Sequence, residues 1–514
     1  MRLALHYFSY IIKITNIMRN CTLLFCFLAF LGQSFAQAHD HLGPCGVEQP
    51  GLQMDHAWLR DYQQNPDKYP MPEDADLIIA ALQVHNMGND DGSGHFPWIS
   101  MLNALCQLQE GFEDSDIQFY LTNGVNYIEN TAWNNHETFG VGSQMMNQSQ
   151  VNNMLNTFIA TEAAGNCGYY SPGVDACVVA KSCASASDDT WAHELGHYLS
   201  LPHTFFGWEG IDYDPDTPTS NYQGQVFTSI EEVDGSNCLF AADGFCDTSV
   251  DFISNRWNCN DDGENNTDFY DPNGEAFRVD GTYFMSYSND ICAARFSQEQ
   301  TDAMRANLQF QRSEVILDDV EIEEIDMAGF NPIFPVDGEE VAYNYIKIEW
   351  EPIPGATHYY VEVTRHPFDV VIEKRVVTET EFIATTLIPN KNYAWEVRPF
   401  NWGYFCAPFS EKLLFTTNET VGTNDIEGVD AVQIFPTVVR NGAALNIQLE
   451  SSNNLGAAEI SLTSLTGVRH QVKQVIIQNG QNQFAIQPEG LSSGIYIVGV
   501  TTDSGSFYQK VVVQ

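Results

Sequence analysis

The sequence predicts a multidomain protein: an α/β (α+β) domain first, followed by two all-β sandwich domains. Three observations predict it. The chain has 514 residues, more than one hydrophobic core supports, so two to four domains are expected. From about residue 71 to 318, apolar strand-like runs alternate with helical periodicity. Beyond that, short strands with period-two alternation take over.

The first element is a targeting segment. From Met18 the chain reads MRNCTLLFCFLAFLGQSFAQA: a short basic start, an apolar run, and small residues at Ala36 and Ala38. That is a secretory signal peptide over residues 1–36, with cleavage after Ala36 or Ala38 fitting equally well and Met18 a possible true start. Elsewhere no run is long and apolar enough to span a bilayer, so the mature chain is expected to have no transmembrane segment. Residues 37–70 are polar and Pro-bearing and read as a leader or prosegment. Removing the signal leaves ten of the twelve cysteines. In an exported protein these are disulfide candidates first.

The α/β domain is expected over residues 71–318. Ala75–Val84 (ADLIIAALQV) reads as a buried strand. A helix follows from about Pro97, with Ile99, Leu102, Leu105 and Leu108 near one face and Pro97 suited to the first turn. Asp116–Leu121, Leu155–Ala160 and Ala176–Ala180 read as further strands. Next comes Thr190–Phe205, TWAHELGHYLSLPHTF. His193 and His197 are four apart, so a helix projects both from one face. Two imidazoles so placed bind one Zn²⁺ at about 2.0–2.1 Å, with Glu194 beside the activated water. Ser187, Asp188 and Asp189 offer N-capping groups. Pro202 turns the chain so that His203 can serve as a third ligand, leaving the open position that catalysis requires.

These residues resemble a family. H-E-x-x-H-x-x-G-x-x-H is the metzincin pattern, and TYFMSYSND (282–290) resembles the Met-turn that accompanies it. The wording HELGHYLSLPHTF, Met285–Tyr287, Cys292, FSQEQTDAMR and the upstream CGYYSP are similar to the pappalysin (M43-type) branch over roughly residues 75–312. The resemblance implies a zinc endopeptidase: His193, His197 and His203 hold the metal, and Glu194 is the general base. Tyr287 would steady the oxyanion, and Met285 would form an apolar floor. One position departs. The motif glycine is Ser200, which puts a side chain where the turn often needs positive φ.

Several further features follow from the residues themselves or from the same likeness. Cys45, in GPCGVEQP, resembles the Cys-Gly element by which some metzincin prosegments block the metal; a disulfide half is the other reading. Cys238 is expected to pair with Cys246, and Cys259 with Cys292, stapling loops that lack a core of their own. Structural Ca²⁺ is possible because relatives use it, and three acidic groups are candidates: Asp212, Asp214 and Asp216; Asp261, Asp262 and Glu264; Asp271, Asn273 and Glu275. After the Met-turn, Asp290 offers a charge and Ile291 an apolar wall, leaving the preference of the neighbouring pocket open.

Residues 329–417 are expected to be all-β. LIPNKNY (387–393) spaces Leu, Pro and Tyr as in a tyrosine corner, and the segment resembles a fibronectin type III domain. Residues 431–514, with LSSGIYIVGV and a terminal KVVVQ, resemble the C-terminal sorting domain of type IX secretion. That implies passage through this machinery to the cell exterior or surface. Charge closes the reading. Lys+Arg 22 against Asp+Glu 68 gives a net charge of −46, which argues against nucleic acid and anionic membranes as partners. The expected partner is a protein or peptide substrate lying as an extended strand along a sheet edge. The competing reading is a catalytically inactive metzincin-fold binding or adhesion protein. Glu194 speaks against it, because a purely structural zinc site does not need that acid.

Overall fold

The computed structural model describes residues 43–46, 57–71, 77–209, 231–343, 346–418, 426, 428–465, 467–488, 490–502 and 504–514. The expected signal peptide, Asp212, Asp214, Asp216 and most of the linker before the tail lie outside them. Contacts divide the chain into two units, Met1–Val320 and Glu321–Gln514. Among the described residues, no helix is long and apolar enough to cross a membrane.

The first unit is built on a nine-stranded sheet: β1 (Gly43–Cys45), β2 (Ile78–Gly88), β3 (Ile117–Tyr120), β4 (Val125–Glu129), β5 (Asn135–His136), β6 (Leu155–Ala160), β7 (Glu162–Ala163), β8 (Asn166–Ser171) and β9 (Ala176–Ala180). The path runs β3-β2-β6-β9-β8-β7-β5, with β4 also on β2 and β1 on β8. β2, β6 and β9 are buried along nearly their whole length, the mark of parallel strands covered on both faces. Direction reverses at β8, which runs antiparallel to β9.

The expected strands at 155–160 and 176–180 are met residue for residue. The first strand starts three residues later and runs on to Gly88. The helix after Pro97 spans Trp98–Gly111 with Pro97 as its N-cap, one position before the first turn. Helix Gln298–Gln311 opens with a reciprocal capping box between Ser297 and Gln300, which satisfies two first-turn donors at once.

The second unit holds two separate apolar cores. One gathers Ile348, Trp350, Val361, Trp395 and Phe415 between a three-stranded and a five-stranded sheet. Here Tyr393 accepts the Ile388 N–H at 3.0 Å on its hydroxyl, as a tyrosine corner does. The other gathers Ile447, Ile460, Val498 and Val511, again between sheets of three and five strands.

Candidate metal centre

The site is organised by helix Thr190–Tyr198, all nine residues of which are buried. It packs on β8 and β9. Asp189 is its N-cap, but without a side-chain cap bond. Its carboxylate instead accepts from Gln107 Nε2 at 2.9 Å, and Asp188 accepts the Ser185 N–H. Neither side chain caps the helix as expected. At the other end Leu201 N–H reaches Gly196 O (2.9 Å) and Ser200 N–H reaches His197 O (3.0 Å), a Schellman stop. Ser200 takes the left-handed position with φ 78°. Its hydroxyl accepts from Asn307 Nδ2 at 2.6 Å, so the strained residue carries a partner that a glycine would lack.

Beyond this turn the three histidines converge. His197 Nε2 is 3.1 Å from His193 Nε2 and 3.1 Å from His203 Nε2. Each Nδ1 faces an oxygen that can only accept: Phe284 O at 2.6 Å, Leu201 O at 2.8 Å and Glu209 Oε1 at 3.4 Å. Each Nδ1 therefore carries the ring hydrogen, and each Nε2 presents a lone pair. Three buried lone pairs facing one another are repulsive alone and suited to a shared cation. Two nitrogens bound tetrahedrally at 2.0–2.1 Å would sit about 3.4 Å apart. The residues fit a zinc ion. Burial, and then His203, hold His193 down to about 3.

Glu194 lies beside this cluster, fully buried. Among the described residues, its carboxylate oxygen Oε1 has no hydrogen-bond partner, and burial raises the pKa of Glu194. A Cβ at Gly168 would fall 2.7 Å from that Oε1, so strand β8 needs glycine there to let the carboxylate approach. Beneath, a Cβ at Gly196 would fall 2.5 Å from Met285 Sδ. Thr204 N–H bonds Met285 O at 3.1 Å, tying the turn at Met285 to the residue after His203.

Cys45 occupies the open side. β1 runs parallel to β8, with Cys45 opposite Gly168. The thiol is free and buried. Its Sγ is 3.7 Å from His197 Nε2 and 3.7 Å from Glu194 Oε2, within the same potential ligand cluster as the three histidines. Burial, then the Glu194 charge, push this thiol up. Tyr287 donates its hydroxyl to the Cys45 carbonyl at 3.3 Å.

No match was found among curated proteins. Residues 434–514 match the family described as Secretion system C-terminal sorting domain. The tail is a secretion sorting domain. The chain is accordingly a secreted one, directed to the cell surface. Among solved structures it is similar to a promirolysin mutant from Tannerella forsythia: 17% identity over 53% of this chain and 96% of that one, TM-score 0.38. It is also similar to the FN1–FN3 domains of chicken CNTN1, with 16% identity over 35% and 66%, TM-score 0.14. The fibronectin(III)-like modules of Clostridium thermocellum CbhA give 13% over 36% and 92%, TM-score 0.15. At these scores the likenesses add nothing to the site, which rests on its own geometry.

Four features were not anticipated. Glu209 orients His203, and Cys167 pairs with Cys183; the pairs Cys238–Cys246 and Cys259–Cys292 form as expected. Cys177 is a buried free thiol, bonded to Thr157 Oγ1, so not every remaining cysteine is crosslinked. Last, Glu231 and Asp243 are buried carboxylates. Burial first, then their acidic neighbours for Glu231, push them up to about 9 and about 8. Among the described residues, Glu231 Oε2 has no hydrogen-bond partner. By contrast Asp271 accepts three backbone N–H groups from Val233, Asn273 and Glu275, which makes it a loop organiser. Ile291 is 93% exposed.

Proposed function

We propose that this chain is a secreted zinc-dependent endopeptidase, made with its own N-terminal leader seated in the cleft. The observation that carries the reading is the convergence of three Nε2 lone pairs beside the fully buried Glu194. His193, His197 and His203 would hold the zinc, with their Nδ1 acceptors fixing the ring orientations. Bound there, zinc supplies a Lewis acid for the scissile carbonyl and acidifies a water molecule.

The protein's own residues do the rest. Glu194 would take a proton from the attacking water and pass it to the leaving amine. Tyr287, whose hydroxyl already donates to a main-chain carbonyl of the leader strand, would donate to the substrate oxyanion. The β8 edge that pairs with β1 would receive substrate as an added strand.

Cys45 sits where a fourth ligand would. A thiolate beside three imidazoles would exclude the attacking water and keep the uncut chain latent. The sorting domain would engage the type IX machinery. Glu231, Asp243 and Thr248 would hold a structural Ca²⁺. Thr248 Oγ1 lies 3.2 Å from both Asp243 oxygens, and the charge of Asp243 also bears on buried Glu231, a pairing of acids that favours a divalent ion.

The test is cleavage of casein and a mixed peptide library by the chain after leader removal, with and without 1,10-phenanthroline. Chelator-sensitive cleavage supports the reading. A folded, leader-free, zinc-loaded chain that cleaves nothing refutes it in favour of a binding protein.

A further inference from the structure

Beside the metal cluster lies a small cleft whose lining includes His193, Tyr287, Phe284, Asp189, Arg256 and Asp290. Because it borders both a histidine and Tyr287, it is placed to receive the substrate side chain next to the cleaved bond. Its charges are arranged unusually. Asp290 Oδ2 is bonded to Arg256 Nη2 at 2.5 Å, and its Oδ1 faces the Asp189 N–H at 3.5 Å. Both carboxylate oxygens are thus engaged from within the protein. Arg256 Nε is held by Asn289 Oδ1 at 2.9 Å, and the pair is only about one third exposed on the Arg256 side and less on Asp290.

The pairing is built into the backbone. Trp257 N–H bonds Tyr287 O at 3.2 Å, and Asn289 N–H bonds Trp257 O at 2.8 Å. The bridge Trp257–Ser288 therefore aligns two segments far apart in sequence, and the Cys259–Cys292 disulfide locks them just beyond. Arg256 and Asp290 flank that bridge, so their contact is fixed by register and not by chance meeting of two surface side chains. The second carboxylate in the lining, Asp189, is tied to Gln107.

We propose that Arg256 sets the specificity of this cleft: by occupying Asp290 it makes the pocket refuse Lys and Arg and take short uncharged side chains. This rests on the peptidase reading. An entering guanidinium or ammonium would find its carboxylate already bound bidentately between a cation and a backbone N–H, and would meet the charge of Arg256 at close range. Removing Arg256 would leave two carboxylates, Asp189 and Asp290, facing an otherwise neutral lining, a seat for a basic residue.

The experiment profiles the leader-free, otherwise complete protein on a peptide series varied only at the residues flanking one cleaved bond. Wild type is expected to favour Ala, Ser or Val over Arg and Lys at one flanking position by at least tenfold in kcat/KM. Arg256→Ala should raise kcat/KM for Arg and Lys there by tenfold or more, and adding Asp290→Asn should erase the gain. The wild-type profile tests the proposal even if the variants fold poorly. A wild type that cuts chiefly beside Arg or Lys overturns it, as does an Arg256→Ala variant of unchanged melting temperature with an unchanged profile. A wild type that cuts nothing defeats the peptidase reading itself, and this inference with it; chelator-sensitive cutting with basic preference defeats the pocket assignment alone.

Discussion

Ser200 gives the most exacting prediction. Its φ of 78° places a Cβ in the left-handed region, which costs a residue with a side chain about 1–2 kcal/mol. Against that, Ser200 Oγ accepts a 2.6 Å bond from Asn307 Nδ2, and Asn307 is 1% exposed. Ser200→Ala keeps the backbone cost, loses a bond of about 0.5–1.5 kcal/mol and strands a buried donor. We expect it to destabilise by about 1–2 kcal/mol. Ser200→Gly loses the same bond but sheds the Cβ cost, less the roughly 0.5–1 kcal/mol of extra chain entropy that glycine brings. Glycine should therefore be more stable than alanine here by about 0.5–1 kcal/mol, the reverse of their order in a helix. Calorimetric melting of the leader-containing chain, following the transition of the first unit, measures both. If alanine matches or exceeds glycine, the turn before His203 does not hold the geometry described.

Four further outcomes are expected. Cys45→Ala in the uncut chain should raise peptidase activity by at least about tenfold, equal to 1.4 kcal/mol of lost hold on the cleft; unchanged latency on a casein assay would remove the thiol from the account. Gly168→Ala should lower kcat by on the order of 10²-fold through displacement of Glu194, with zinc content by metal analysis unchanged. Chelating calcium with EGTA should lower the melting temperature of the first unit. In EGTA that melting temperature should also fall as pH rises from about 5 to 9: Glu231 and Asp243, held up to about 9 and about 8 when folded, carry protons that the unfolded chain releases near pH 4. Calcium should flatten the slope, and a pH-independent melt in EGTA would argue against that site.

What could be read ahead of the structure follows from how local each signal is. His193, Glu194, His197 and His203 share one helix and its turn, so spacing alone brings them together, and the structure does so. β6 and β9 were legible because a buried parallel strand is a short unbroken apolar run. The acceptors that orient the rings were not. Phe284 and Leu201 act through main-chain carbonyls, which any residue would supply. Glu209 is one acid among many. The acidic clusters singled out in sequence are crowded loops, whereas Glu231 and Asp243 are twelve residues apart and become neighbours only on folding. Arg256 and Asp290 meet through a register that no local pattern encodes. Asp189 was expected as a cap by its position, but Gln107 of another helix competes for its carboxylate.

The central claim is that the three histidines hold a catalytic zinc and that Glu194 moves the proton. It is tested most directly by measuring bound zinc and peptide cleavage together on leader-free wild type and Glu194→Ala. We expect about one zinc per chain in both proteins and cleavage by wild type alone. A folded wild type without zinc, or a Glu194→Ala variant that cleaves as well as wild type, would contradict it.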